Sequence, residues 1–189
     1  MIRKRIQESI AVKAHLMGNS VLLSTLEEVA RVIVECYTNG GKVLFCGNGG
    51  SAADAQHLAA ELSGRFYFDR DPLAAEACHV NTSFLTAVSN DYGYDKAYAR
   101  YIKSVGHSGD VVIGLSTSGN SSNIVNAFEV AKELGMKTVA FTGQGGGKMG
   151  TIADFLLDMP SDDTPRIQEA HILVGHIICE IVESAMFSK

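Results

Sequence analysis

The order of apolar and polar positions predicts two helices at the start of the chain. Ile2, Ile6 and Ile10 recur at four-residue spacing, which is typical of an apolar stripe along a helix. A Gly-Asn-Ser break follows at 18–20, and a second amphipathic segment runs to the glycine pair at 40–41. We therefore expect an N-terminal helical hairpin over residues 1–39.

From residue 42 onward, short apolar runs alternate with Gly/Ser loops and helical patterns. KVLFC leads into GNGGS, VVIGL into STSGNS, and KTVAF into TGQGGG. Continuous apolar runs are typical of strands buried on both faces, and their alternation with helices predicts a parallel sheet. Further strands are expected within 73–80 and 154–159, and a last helix over about 164–186 with Pro165 in its first turn. Residues 40–189 thus predict an α/β core, a five-stranded parallel sheet flanked by helices.

Composition narrows the class of protein. A chain of 189 residues with 46% hydrophobic residues, three prolines and no low-complexity linker favours a single domain over 1–189. The formal charge of -5 argues against nucleic acid as a partner, and no uninterrupted apolar run approaches the ~20 residues of a membrane span. The four cysteines form no CxxC pair, which indicates buried thiols in a reducing compartment and predicts a cytoplasmic protein.

Two of the strand-to-helix loops contain residues suited to binding an anion. CGNGGS and LSTSGNS both lie where a predicted strand ends, and ligands bind at the carboxyl edge of open α/β sheets. Neutral hydroxyls and free helix N-terminal amides can hold a phosphate dianion. Ordinary turns and helix caps remain an alternative, but two such loops favour a ligand. Neither loop matches a nucleotide-binding fingerprint.

The helix after GNGGS carries a possible metal site. Asp54, His57 and Glu61 are spaced by three and four residues and lie on one helical face. His57 and Glu61 could share a divalent ion, with Asp54 orienting the imidazole. A solvated helix face is the alternative, and spacing alone favours it.

The last helix adds two further candidates, Gln168 and His176. They are eight positions apart, about 80° around a helix and roughly 12 Å along it. Such a separation strains simultaneous binding of one ion. Either both side chains reach a metal held midway, or the ligands come from different subunits. A core role for His176 is a further alternative.

The whole set of motifs resembles a known family. CGNGGSAADAQHLAAELSGRF, SNDYGYD, LSTSGNS and RIQEAHILVGH occur in the order found in the phosphoheptose isomerases, which have the flavodoxin-like three-layer fold of sugar-isomerase (SIS) domains. The resemblance covers essentially the whole chain. It implies interconversion of sedoheptulose 7-phosphate and D-glycero-D-manno-heptose 7-phosphate through an enediol, for bacterial heptose precursors of lipopolysaccharide or capsule. It also implies one zinc per subunit and a homotetramer, built with the N-terminal helices, whose active sites lie at subunit interfaces.

The resemblance also assigns roles to individual residues. It implies Glu61 and His176 as the groups that move protons. The implied zinc ligands are His57, Glu61, Gln168 and His176. The implied substrate-binding residues are Asn48, Gly49, Gly50, Ser51, Asp54, Glu61, Asn90, Asp91, Ser116, Thr117, Ser118, Ser121 and Gln168.

A related class of SIS proteins is the main alternative. These are bacterial regulators that bind the replication initiator and are not known as isomerases. Their pattern lacks the residues that correspond to Glu61 and His176, and this sequence has both. A sugar-phosphate-sensing SIS module would need the phosphate loop but not the metal ligands.

Overall fold

The computed structural model describes residues 1–187, and within them the predicted sheet is present. Its five strands are all parallel, in the order β2-β1-β3-β4-β5. The strands are β1 (Val43–Gly47), β2 (Ala75–Ala77), β3 (Val111–Ser116), β4 (Lys137–Thr142) and β5 (Phe155–Asp158). The expected strand at 73–80 is thus much shorter, because the chain turns away after Ala77.

Within residues 1–187, eight α-helices surround the sheet. They are α1 (Ile2–Gly18), α2 (Ser20–Thr38), α3 (Gly50–Ser63), α4 (Thr82–Tyr92), α5 (Ala97–Val105), α6 (Ser122–Glu133), α7 (Gly147–Ile152) and α8 (Thr164–Phe187). A single 3₁₀ turn at Tyr94–Lys96 joins α4 to α5. The predicted hairpin, the break at Asn19 and the last helix are confirmed, and the predicted α/β fold class with them.

Two apolar cores lie on opposite faces of the sheet because strand side chains alternate in direction. Val43 and Phe45 point into one core, shared with α2, α3 and α8. Leu44 and Cys46 point into the other, shared with α5, α6 and α7. Cys36, Cys46, Cys78 and Cys179 are all buried and free, as the sequence indicated.

The two N-terminal helices differ in how they pack. Helix α2 contributes seven buried residues to the first core, including Val29 and Ile33. Helix α1 contributes the buried Leu16 and the partly buried Val12, and its stripe of Ile2, Ile6 and Ile10 is 78%, 55% and 59% exposed. Helix α2 is therefore a core element, whereas α1 lies mostly on the surface.

Helix α8 is long and apolar enough to span a membrane by length and composition alone. In this structure the same helix packs against α2 and α3 and buries nine residues, among them Val174 and Ile178. Packing inside the first core accounts for its apolar composition.

Candidate active site

The strand order places the candidate site at the carboxyl edge of β1 and β3. Strand β1 pairs with β2 on one side and with β3 on the other, so the chain reverses its direction of winding there. Loops that diverge from such a point leave a crevice for a ligand. The loops at this position are GNGGS after β1 and STSGNS after β3, which were singled out in the sequence.

The loop after β1 depends on glycine. Gly49 has φ +57° and ψ -122°, a conformation that L-residues with side chains rarely adopt. Gly50 begins α3, and a Cβ atom added there would lie 2.5 Å from Gln168 Nε2. The absence of a side chain at Gly50 therefore lets the Gln168 amide reach the N-terminus of α3. The predicted substrate residues Gly50 and Gln168 are neighbours.

The loop after β3 presents a hydroxyl cluster at the start of α6. Ser116 Oγ lies 2.8 Å from Ser121 Oγ and 3.4 Å from Ser118 Oγ. Ser121 is the N-cap residue of α6, yet its side chain does not cap a helix amide. The first amides of α6 are thus left open toward the crevice edge, an arrangement that favours an anion. Thr117 joins this loop to Gly143, whose amide donates to the Thr117 carbonyl at 3.0 Å.

Three of the four predicted metal ligands converge within one chain. His57 Nε2 lies 2.9 Å from Glu61 Oε1 and 3.3 Å from His176 Nε2. One ligand atom from each of these three residues lies within 4.8 Å of the others. Ligands bound to zinc at 2.0–2.1 Å in a tetrahedron lie about 3.3 Å apart, so the donor set fits such an ion. The solvated-face interpretation does not account for the arrival of His176 from α8.

Burial and neighbouring charge act on His176. Burial lowers the pKa of this imidazole, and the nearby His57 ring lowers it further, while Glu61 opposes them. A neutral imidazole is the form that binds a metal. The Phe66 ring packs against His176 with 5.6 Å between centroids, and the His57 side chain remains 49% exposed. The cluster is accordingly open on one side.

In the described part of the chain, Gln168 and Asp54 do not make the contacts with the metal cluster that the sequence predicted. The Gln168 amide contacts Gly50, two helical turns before His57 on α3, so its role as a fourth metal ligand stays a prediction. Within residues 1–187, Asp54 makes no hydrogen bond to His57, and its Oδ2 is buried without a partner. Burial raises the pKa of the Asp54 carboxyl, and His57 partly offsets the rise. The predicted orientation of His57 by Asp54 is not observed.

Asn90 and Asp91 lie at the end of α4. Asn90 Nδ2 donates to Asp91 Oδ1 at 2.9 Å, and both side chains are exposed. The same segment reaches the β1 loop through Tyr94, whose hydroxyl donates to Asn48 Oδ1 at 2.7 Å. Ser51, also predicted to bind substrate, is buried at the first turn of α3.

Comparison with known proteins gives the family. A model of the SIS domain matches residues 13–143. A phosphoheptose isomerase of Aneurinibacillus thermoaerophilus is 52% identical over 186 residues, which cover 98% of this chain and 94% of that protein. This chain belongs to the phosphoheptose isomerases. A relative with the same name from Sulfurimonas denitrificans is 50% identical over 98% of this chain and 95% of its own length.

A solved phosphoheptose isomerase also matches this structure closely. The enzyme from Neisseria gonorrhoeae superimposes with a TM-score of 0.91 at 42% identity, covering 97% of each chain. The family resemblance in the sequence is thereby confirmed, together with the SIS fold.

Three polar side chains near the loops were not predicted from the sequence: Asn123, Tyr94 and Tyr98. Asn48 and Asn123 exchange two amide hydrogen bonds of 3.0 and 2.9 Å, although 75 positions separate them. The Tyr98 hydroxyl donates to the Gly47 carbonyl, and Tyr94 bonds Asn48. The tyrosines could have been suspected from their place just after SNDY, but no sequence signal pairs the two asparagines.

Proposed function

We propose that this protein is an aldose-ketose isomerase that converts sedoheptulose 7-phosphate into D-glycero-D-manno-heptose 7-phosphate, for bacterial lipopolysaccharide or capsule precursors. The observation that carries the proposal is the convergence of His57, Glu61 and His176 in a chain that also has a hydroxyl-rich loop at the topological switch point. Membership of the phosphoheptose isomerases supports the same substrate.

Substrate binding is assigned to the two loops. The hydroxyls of Ser116, Thr117, Ser118 and Ser121, with the open amides of α6, would hold the phosphate without formal positive charge. The remaining substrate contacts are assigned to Asn48, Gly49, Gly50, Ser51, Asp54, Asn90, Asp91 and Gln168. A phosphate fixed in this way orients the sugar, which lowers the entropic part of the barrier.

Proton transfer is assigned to Glu61 and His176. Isomerisation removes a proton from the carbon beside the carbonyl and returns a proton to the neighbouring carbon, through an enediol. Glu61 Oε1 is engaged by His57, whereas among the described hydrogen bonds Oε2 has no partner and can accept the proton. His176 would handle the proton that returns to the neighbouring carbon. Its metal-binding and proton-transfer roles would alternate as substrate displaces ligands, because a metal-bound imidazole nitrogen cannot also donate a proton. Such groups each contribute ~10²–10⁴-fold to the rate.

We assign one zinc ion per subunit to His57, Glu61 and His176, with Gln168 as the proposed fourth ligand. Zinc bound there supplies a Lewis acid that polarises the substrate oxygen. Exposure of His57 and of Asn90 and Asp91 supports an active site completed by a second subunit. We also propose a homotetramer, as the family resemblance implies, and a cytoplasmic location, which the four free cysteines support. The regulator that binds the replication initiator is not favoured, because Glu61 and His176 are present and meet.

The decisive experiment is a direct assay. Purified protein should convert sedoheptulose 7-phosphate into heptose 7-phosphate, followed by NMR, and should hold about one zinc per subunit. Removal of the metal by a chelator should abolish turnover, and added zinc should restore it. Absence of turnover in zinc-loaded protein would contradict the isomerase proposal. Full turnover in metal-free protein would contradict only the metal assignment.

Replacing Ser118 by alanine should mainly weaken substrate binding. One hydrogen bond to a charged group contributes ~1.5–3 kcal/mol, which corresponds to a rise in KM of about 10- to 100-fold. Steady-state kinetics would give KM and kcat separately. Ser104→Ala is a suitable control, because its hydroxyl donates to the Tyr101 carbonyl of its own helix, away from the two loops. A large fall in kcat with unchanged KM would instead place Ser118 in the chemical step.

The exposed stripe of α1 is expected to build the oligomer. Changing Ile2, Ile6 and Ile10 together to glutamine removes apolar area that packing against another subunit would bury. Light scattering coupled to size exclusion should then report a smaller species than the parent tetramer. The pair Lys4→Gln and Glu8→Gln, on the other face of α1, should leave the mass unchanged. An unaltered tetramer in the triple variant would show that the contacts lie elsewhere.

A further inference from the structure

A buried ion pair joins the segment after α3 to helix α8 and has no part in the proposed chemistry. Arg70 Nε donates to Glu183 Oε1 at 2.9 Å, and the two side chains are 2% and 1% exposed. A buried ion pair rarely makes a protein more stable than apolar residues of the same volume would, so the presence of this pair needs another explanation. The contacts of each member give one.

Glu183 binds the backbone of the segment that follows α3. Its Oε1 accepts from the Phe66 amide at 2.9 Å and its Oε2 from the Tyr67 amide at 2.7 Å. Burial alone raises the pKa of this carboxyl. The two amides and the Arg70 guanidinium outweigh burial and hold the pKa below its ordinary value. Glu183 is therefore an ionised acceptor with every donor in place.

Arg70 binds the end of α3 itself. Its guanidinium donates to the carbonyls of Glu61 and Leu62 at 2.8 and 2.7 Å. The same group donates to the carbonyls of Gly64 at 3.1 Å and Asp71 at 3.0 Å. Carbonyls in the last turn of a helix have no partners within the helix, and Arg70 satisfies them. The backbone of Glu61 is thus held directly by this side chain.

The pair connects the two helices that supply the metal cluster. Helix α3 carries His57 and Glu61, and its end is bound by Arg70. Helix α8 carries His176 and, seven residues later on the same face, Glu183. Phe66, whose amide Glu183 binds, packs its ring against His176. The ion pair and Phe66 thus link the two helices on the same side as the cluster.

We propose that Arg70 and Glu183 are positioning residues that fix the separation between Glu61 and His176, and so set the affinity of the cluster for its metal ion. This inference rests on the metal site of the proposed function. A role in stability alone is the alternative. The two differ in whether the folded protein loses zinc affinity when the pair is weakened.

The test is a zinc titration of metal-free Glu183→Gln protein against a chromogenic chelator, at a temperature where circular dichroism shows the variant folded. Glutamine offers one oxygen acceptor in place of two and directs an NH₂ group at other donors. We expect zinc affinity to fall about 10- to 100-fold, the range for groups that orient metal ligands. In zinc-loaded protein kcat should fall while KM changes little, because the phosphate loop lies on β3 and α6.

Two further variants separate positioning from stability. Ile102→Ala, in the core on the opposite face of the sheet, lowers thermal stability without touching α3 or α8, and should retain parental zinc affinity. Arg70→Lys keeps the charge but cannot bind all four carbonyls, and should give an intermediate loss of affinity. If Glu183→Gln does not fold, the zinc affinity of Arg70→Lys distinguishes positioning from stability alone.

The outcomes are distinct. Parental zinc affinity in folded Glu183→Gln and Arg70→Lys would overturn the inference while leaving the metal site intact. An equal loss of affinity in Ile102→Ala would also overturn it, because general destabilisation would then explain the effect. Failure of the parent protein to bind zinc would overturn the metal site itself, and with it this inference.

Discussion

Replacing Glu61 by glutamine is expected to lower kcat at least ~100-fold while the fold is retained. The amide keeps the shape of the side chain and one oxygen near His57, but it cannot accept a proton. Loss of a general base typically costs ~10²–10⁴ in rate. Stopped assays with sedoheptulose 7-phosphate and circular dichroism would measure turnover and folding in the same preparation.

The Glu61→Gln variant also distinguishes a role of Glu61 as general base from a role as metal ligand only. If Glu61 acts only as a ligand, excess zinc should restore turnover, because occupancy would be the only deficit. We expect little restoration. Glu129→Gln, on the exposed face of α6, is the matched control and should keep parental turnover. Parental turnover in Glu61→Gln would rule out the catalytic assignment and reopen the regulator interpretation.

Replacing His176 by glutamine is expected to weaken zinc binding strongly and to lower turnover with it. Its Nε2 atom lies 3.3 Å from His57 Nε2, and a neutral amide is a much poorer zinc ligand than imidazole. Groups that merely orient a ligand are worth 10–100-fold in affinity, so loss of a ligand should cost ~10² or more. Chelator competition gives the affinity, and the NMR assay gives the turnover.

The control for this variant is His107→Gln. His107 is 79% exposed at the opposite edge of the sheet, where it contacts Lys42 and Asp110. Its replacement should leave zinc content and activity unchanged. Retention of stoichiometric zinc by His176→Gln would mean that the ion is held by His57 and Glu61 with other ligands, and that His176 serves another purpose.

The loops of the candidate site could be located from the sequence, but their partners could not. GNGGS and STSGNS mark strand ends, and parallel strands bring their carboxyl ends to one edge of the sheet. The pairing of Asn48 with Asn123 depends on how α6 packs against β3, the strand beside β1, which no local pattern encodes. The pairing of Arg70 with Glu183 could not be predicted either, because 113 positions separate the two residues.

The sequence by itself determined the class of fold, the two loops and the family, because strand periodicity, turn residues and contiguous motifs are local properties. It could not determine which helix faces meet. The spacing of His57 and Glu61 was compatible with a solvated surface until the packing of α8 against α3 brought His176 within 3.3 Å of His57. The same packing placed Gln168 against Gly50, and left Asp54 without a bond to His57 within the described part of the chain. Contacts between helices depend on core packing over the whole domain, so tertiary structure alone decides them.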